Sequence, residues 1–385
     1  MHLLYLHGGR LDHVVGTGKV KYLEPLNPGR LFNTVHMVSV NTRSASDREH
    51  GEGDFRFTEI GLGGGVTGRV GRLLALWRAL TRIGNGNRPD LVLADDANLL
   101  GAAARYVARR CRVPYAVCVY YDNDLHYRLT GCPALAFLRT RLLERILERQ
   151  VFGGAIGVFA MTRGYYEYGM RNGAPRDRAF LGTWSVDDIF YENPGGPHPE
   201  SRELLFVGRL HPLKYIDDVL RALAKLPARL RLDVAGEGED RSRLEAMVSR
   251  LGLAQRVRFL GRVPREELTA RMQGAQSLIV TQGFSAAVEC LLSGRPVVAY
   301  EHECNTEVVR NGETGLTVPF RDVDGLAKAI AQLDVDRGLA ERLGRVGRQR
   351  MIEECDIQQS IEHRRRFLEK CLNGNDQSVV PSCIG

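Results

Sequence analysis

The 385-residue sequence has no apolar run near the ~20 residues that a membrane-spanning helix requires. No C-x-x-C pair occurs among its eight cysteines, Cys111, Cys118, Cys132, Cys290, Cys304, Cys355, Cys371 and Cys383. That argues against a structural zinc site and a disulfide framework, and leaves reduced thiols in a cytoplasm as the expectation. No cationic stretch precedes the first apolar run, Met1 to Gly8, which reads as a buried strand rather than a signal peptide. The basic residues have no aromatic-studded module around them, so nucleic-acid binding is set aside despite a net charge of +7. No third ligand accompanies the acid pair Asp95-Asp96, so no metal site is expected there. Internal repeats and low-complexity segments are absent.

What remains is the composition of a soluble globular chain long enough for two domains. Asn193-Pro194-Gly195-Gly196-Pro197-His198-Pro199 permits neither helix nor strand and marks a linker. The expected layout is a first domain over 1–192, a linker over 193–200 and a second domain over 201–355. A helix over 356–374 and a flexible tail over 375–385 follow. In the first half, strands are read at Leu3 to Leu6, Val35 to Val40, Asp90 to Ala94, Tyr115 to Tyr120, Val151 to Met161 and Ala179 to Thr183. Helices are read at Val70 to Ile83, Leu99 to Arg110 and Ala134 to Val151, and the glycine-rich Asp54 to Gly65 is read as a loop. Strands alternating with helices imply a parallel sheet covered on both faces.

The most informative segment is Val207-Gly208-Arg209-Leu210-His211-Pro212-Leu213-Lys214. An apolar strand ends in glycine, and two cations follow before a helix begins. Such strand-to-helix turns hold anions in α/β proteins, and Arg209 with Lys214 suits a diphosphate. Further on, Leu232 to Ala235 leads into Gly236-Glu237-Gly238, and Val257 to Gly261 is another short strand. Ser277 to Val280 runs into Thr281-Gln282-Gly283-Phe284-Ser285 and a helix carrying Glu289. Gly294 to Ala299 is a further strand, and Glu307-Val308-Val309 and Gly315 to Val318 close the series. The amides of Ser285, Ala286 and Ala287 open a helix and suit a phosphate; an ordinary N-cap at Ser285 is the plainer alternative.

This order of motifs resembles the C-terminal half of the retaining glycosyltransferases of family 4, over roughly residues 202 to 330. The resemblance implies the α/β GT-B fold, with two Rossmann-like domains whose parallel sheets face across a cleft and a C-terminal helix crossing back to the first. It implies a retaining hexosyltransferase that uses a nucleotide diphosphate sugar, UDP-sugar before GDP-sugar, and neither cofactor nor metal. The acceptor is a hydroxyl on a glycan, a lipid-linked glycan or a small metabolite. Arg209, Lys214, Asp122 and Gln282 are the catalytic candidates. The donor site comprises Gly8, Gly9, Gly208, Arg209, Lys214, Gly236, Gly283, Phe284, Ser285, Ala286, Glu289 and Glu307, with Glu289 on the ribose.

The sequence departs from that pattern at one place that matters. The family has two glutamates separated by seven residues; Glu289 matches the second, but the first position is Thr281. Either the loop is one residue shorter and Gln282 stands there, or the acid is lost. The missing acid supports one alternative, a non-catalytic relative acting as a binding or partner subunit; a sugar-nucleotide epimerase or phosphorylase on the same fold is a second, because fold alone does not fix function.

The first half matches by layout more than by motif. Asp122 or Asp124 would orient hydroxyls, or serve only the turn. His7-Gly8-Gly9 and Gly16-Thr17-Gly18-Lys19 would face the donor. His126 follows tyrosines where many members have a histidine. Helix Ala134 to Val151, with Arg139, Arg141, Arg145 and Arg149, is either an ordinary surface helix paired by Glu144 and Glu148 or a peripheral contact with the inner membrane face.

Overall fold

The computed structural model describes residues 1–8, 26–41, 47–61, 88–125, 134–184, 186–192, 201–302 and 304–374. The chain forms two compact units, one of residues 1–182 with the C-terminal stretch from Gln358, the other of residues 183–357.

The first unit holds an eight-stranded sheet of β1 (His2–Leu6), β2 (Thr34–Asn41), β3 (Arg48–Glu52), β4 (Phe55–Gly61), β5 (Leu91–Asp95), β6 (Tyr115–Val119), β7 (Gly157–Ala160) and β8 (Ala179–Leu181). Their order is β3-β4-β2-β1-β5-β6-β7-β8, parallel except for β3, which pairs antiparallel with β4. Central strands such as Leu91–Asp95 and Tyr115–Val119 are buried along their whole length, as a sheet covered on both faces demands. One face packs Leu4, Leu6, Val92 and Val117 with Ala104, Val107 and Ala108 of helix Leu99–Cys111. The other packs Leu3, Tyr5, Leu93 and Phe159 with Phe367, Leu368 and Cys371 of the C-terminal helix Ile357–Asn373.

The second unit holds a six-stranded, all-parallel sheet of β9 (Glu203–Val207), β10 (Arg231–Ala235), β11 (Val257–Gly261), β12 (Ser277–Val280), β13 (Val297–Glu301) and β14 (Leu316–Pro319), in the order β11-β10-β9-β12-β13-β14. Both orders reverse direction beside their first strand. β1 lies between β2 and β5, and β9 between β10 and β12. Such a reversal opens a crevice at the carboxyl ends of the strands, where ligands bind in open α/β sheets.

Several expectations need correcting. Asp54 to Gly65 is not a loop throughout, because Phe55–Gly61 is strand β4, parallel to β2. Its buried Phe55 and Phe57 flank an exposed Arg56, a period of two that the surrounding glycines obscured. Val151 to Met161 is not one strand. Val151 ends helix Ala134–Gly154, and only Gly157–Ala160 is extended. Glu307 lies in the short helix Asn305–Val308. Residues 183–192, assigned by sequence to the first domain, belong to the second unit. Phe190 of helix Asp188–Glu192 is buried in that unit's core, and Arg348 donates to the carbonyls of Phe190 and Tyr191. Helix Ile357–Asn373 lies with the first unit. The linker 193–199, helix 70–83, the tail 375–385, Gly9, Gly16-Thr17-Gly18-Lys19 and His126 fall outside the described residues.

Candidate active site

The crevice between β9 and β12 gathers most of the candidate residues. Beyond Val207, the Gly208 N–H donates to the Ala235 carbonyl (3.0 Å), and the Leu210 N–H to the Glu237 carbonyl (2.9 Å). The turns after β9 and β10 touch so closely that a Cβ on Gly236 would stand 1.9 Å from the Gly208 oxygen. Gly236 also has φ +151, so glycine is required twice over. Arg209 projects from this turn and is exposed.

Lys214 is delivered by a short 3-10 turn, Pro212–Lys214. His211 opens the turn by accepting the Leu213 N–H on Nδ1 (3.2 Å), and Tyr215 ends it in the left-handed region at φ 47. Lys214 Nζ then reaches across the crevice and donates to the Gln282 carbonyl (2.9 Å). In return, the Thr281 hydroxyl donates to the Lys214 carbonyl. Gly283, at φ +136, lets the lysine in, since a Cβ there would lie 3.1 Å from Nζ.

Helix Phe284–Leu292 starts at that point, and its Ala287 N–H bonds back to the Gly283 carbonyl (3.0 Å). Ser285 and Ala286 therefore occupy the first turn, the positive end of the helix dipole. Glu289 follows one turn on and is half-buried. Glu307 is half-buried after β13, and its main-chain carbonyl accepts from Arg350 (3.0 Å).

Two neighbours escaped sequence reasoning. Asn305 is fully buried and donates to the carbonyls of Val280, Thr281 and Tyr300, tying the ends of β12 and β13 together. His302 is buried beside Phe320, ring centroids 4.3 Å apart. Burial, and then the charge of Lys214, press its pKa down to about 4, so it is neutral at pH 7. No motif spacing announces either residue.

The crevice of the first unit, between β1 and β5, is built around Asp95. One oxygen accepts from the Tyr5 hydroxyl (2.5 Å); the other meets His7 Nδ1 (2.6 Å) and the Gly8 N–H (3.0 Å). Burial pushes the Asp95 carboxyl up, but these hydrogen bonds outweigh it and hold it below the usual range. Beside an ionised Asp95, Nδ1 of His7 is the nitrogen that carries a proton. Asp96 stands next to it in the left-handed region at φ 61, with Oδ1 accepting the Tyr120 N–H (3.0 Å). Burial raises its pKa to about 7, and the Asp95 charge adds to the shift. Each acid of the pair thus has partners within the chain. Among the described residues no group of three or more His, Cys, Asp and Glu could hold a metal ion.

Asp122 sits after β6, where Oδ1 accepts the Leu125 N–H (3.0 Å) and Oδ2 pairs with Arg171 (3.2 Å). Asp124 pairs with Arg141 and Arg145. The two aspartates are thus engaged in turn and ion-pair contacts. Arg141 is not a surface residue. It is buried, and it grips Glu148 with two nitrogens at 3.0 Å each.

The second-unit crevice therefore presents two cations, a helix N-terminus and glycine-edged turns within one strand-end cluster. Residues 189–350 match the family Glycosyl transferases group 1, and residues 30–182 match a Glycosyl transferase 4-like domain. The chain belongs to the group 1 glycosyltransferases.

Curated relatives of this group 1 glycosyltransferase include a glycogen synthase of Mycobacterium tuberculosis, 31% identical over 169 residues, which are 42% of this chain and 41% of that protein. A D-inositol 3-phosphate glycosyltransferase of Mycobacterium marinum is 40% identical over 146 residues, 35% of this chain and 31% of that protein. The chain thus spans less than half the length of these curated relatives. Among solved structures, sucrose-phosphate synthase of Thermosynechococcus elongatus superposes with a TM-score of 0.80 at 18% identity, covering 97% of this chain and 100% of that one. An Anabaena protein, HepE, in complex with UDP and glucose gives 0.70 at 16% identity, with coverage of 97% and 100%. At such identities the likeness concerns the fold, which is α/β and of the GT-B type.

Proposed function

We propose that this group 1 glycosyltransferase moves a hexose from a nucleoside diphosphate sugar to a hydroxyl acceptor, with retention of configuration and without a metal. One observation carries the reading. Lys214 Nζ is fixed on the Gln282 carbonyl at the N-terminus of helix Phe284–Leu292, with only Gly283 between. A cation, helix amides and a side-chain-free approach converge where a leaving diphosphate gathers charge.

Lys214 and Arg209 neutralise the two phosphates, and the amides of Ser285 and Ala286 cradle the outer one. Gly208, Gly236 and Gly283 keep the approach open to the phosphates, while Phe284 walls the entrance. Glu289 accepts hydrogen bonds from both ribose hydroxyls, and Glu307 contacts the nucleotide from the β13 side. Gln282 orients the sugar, because the Thr281 hydroxyl is spent on the Lys214 carbonyl. As the bond from C1 to the phosphate oxygen breaks, the acceptor oxygen bonds to C1 on the same face. The acceptor's proton passes to the departing phosphate oxygen, so no side-chain base is needed. In the first unit, Asp122 is the candidate for orienting acceptor hydroxyls.

A UDP-sugar is the first candidate donor, in keeping with the UDP complex of the Anabaena neighbour, and a GDP-sugar the second. The names of the relatives point to a sugar or polyol acceptor, such as a growing glucan or an inositol phosphate. A lipid-linked glycan is the third possibility. Its support is the exposed apolar ridge Leu142, Leu143 and Ile146 beside Arg145, which suits peripheral contact with an anionic membrane. Among the described residues no helix is long and apolar enough to cross a membrane. We assign the activity to the cytoplasm.

The test is a proton NMR time course with UDP-glucose or GDP-mannose and candidate polyols. Release of nucleoside diphosphate with a new glycoside of the donor's anomeric configuration is expected. An inverted product would overturn retention. A new sugar nucleotide without free diphosphate would identify an epimerase, and an unchanged donor a partner subunit.

A further inference from the structure

A second concave site lies in the first unit, at the edge of its sheet opposite Asp95 and His7. Tyr115 begins β6 and Gly157 begins β7, and a cavity of about 350 Å³ opens at these strand starts. Arg105, Arg109, Arg112 and Arg178 line it together with Tyr115 and Gly154, and no carboxylate of the described residues does. The first three arginines recur at intervals of four and three, so they share one face of helix Leu99–Cys111 and its cap. The fourth arrives from the turn before β8. Gly154 makes room, since a Cβ there would stand 2.6 Å from the Tyr115 hydroxyl and 3.6 Å from Arg105 Nε.

Some arginines elsewhere in this protein grip acids with two nitrogens. Arg141 grips Glu148, Arg258 grips Asp233 and Arg243 grips Asp240. Around the cavity, among the described residues, no arginine has such a grip. Arg105 donates to the Gln150 amide oxygen (3.3 Å), and Arg178 to the Ala155 carbonyl (3.4 Å). Among the described residues Arg178 alone has a carboxylate in range, the exposed Asp177 at 3.8 Å. A fifth cation, Arg88, bonds the Arg112 carbonyl at the rim (2.9 Å).

A plainer explanation is that these arginines cap helix C-termini, because helices Leu99–Cys111 and Ala134–Gly154 both end here. Two such ends supply only about one negative charge between them. Even with Asp177 counted, roughly two positive charges stay uncompensated around one cavity. Guanidinium forks in a concave, acid-free site match tetrahedral oxyanions that each can grip with two nitrogens.

We propose that this cavity binds a phosphate-bearing ligand with at least two negative charges, a phosphomonoester or a pyrophosphate group. The source is either a soluble phosphate ester or the headgroup of an anionic lipid. The proposal stands on this unit alone and is independent of the transfer reaction.

The test titrates inorganic pyrophosphate into the full chain by calorimetry. The Lys214→Ala background silences the candidate donor site. Saturable binding is expected, weakened tenfold or more by Arg109→Gln with Arg112→Gln. A charge-matched control, Arg110→Gln with Arg250→Gln, removes two exposed arginines that do not line the cavity and should bind like its parent. Absence of binding, an unaffected cavity variant, or an equal loss in the control would each overturn the proposal. Sedimentation with phosphatidic acid vesicles, but not with phosphatidylcholine, that the cavity variant loses assigns the lipid source. Pyrophosphate binding without vesicle retention assigns the soluble one.

Discussion

At the scale of single residues, the cations of the second unit carry the sharpest expectation. Lys214→Ala or Arg209→Ala should lower turnover by roughly two to three powers of ten, the usual effect of removing one donor to a developing anion. Folding should survive, because Arg209 is exposed and Lys214 half-buried. Steady-state rates with a UDP-sugar, beside a melting curve, check this; near-normal turnover in both variants would remove the diphosphate assignment. Glu289→Ala should weaken UDP affinity itself, whereas Gln282→Ala should slow transfer more than it weakens UDP binding. Calorimetry and rates measured side by side separate the two. Asp96 makes a stability prediction with a definite sign. Its folded pKa of about 7 lies above the ordinary carboxylate value, so stability is lost as pH rises from about 4 through 7. Asp96→Asn keeps an acceptor for the Tyr120 N–H, tolerates the left-handed backbone and cannot ionise. It should stabilise by about 1–2 kcal/mol at pH 8 and have little effect at pH 4, as read from Tm at the two pH values. An equal effect at both would show that the Asp96 charge costs nothing.

At the scale of elements, legibility followed burial pattern. The strands Glu203–Val207, Leu91–Asp95 and Tyr115–Val119 were readable because their long buried runs are bounded by turn residues. Strand β4 was missed because nearby glycines outweighed its alternation of buried and exposed residues. Helix Ala134–Gly154 was recognised, but its inward face was not. Charges normally face water, yet Arg141 and Glu148 satisfy each other and are buried, while Leu142 and Leu143 are exposed. The C-terminal helix was visible in sequence, but not the anchors that make it part of the first core. Phe367 lies 5.0 Å from the Phe159 ring and 5.2 Å from Phe180, centroid to centroid. Arg364 donates to Tyr120 and Cys118 beneath it. Phe367→Ala should therefore cost about 3–5 kcal/mol, as deletion of a fully buried ring does. Urea denaturation measures it, and a loss below 1 kcal/mol would mean that the helix is not integral to that core.

At the scale of the whole molecule, the charge on a leaving diphosphate has to be met by protein groups or by a metal. The site reading assigns that task to Arg209, Lys214 and the amides of helix Phe284–Leu292. Transfer should therefore persist in excess EDTA, and an absolute requirement for magnesium or manganese would overturn the metal-free mechanism. The amino-acid sequence alone determined the alternation of strand and helix, the glycine-edged strand ends and the identity of the cations. These are local matters of hydrophobic period and backbone freedom. Tertiary structure decided which ends meet. Lys214 reaches Gln282, and Asp95 binds His7, because each sheet reverses its strand order beside its first strand. It also placed the unit boundary after Gly182 rather than at the proline-rich stretch. Phe190 is buried in the second core, a long-range packing contact that no local sequence pattern records.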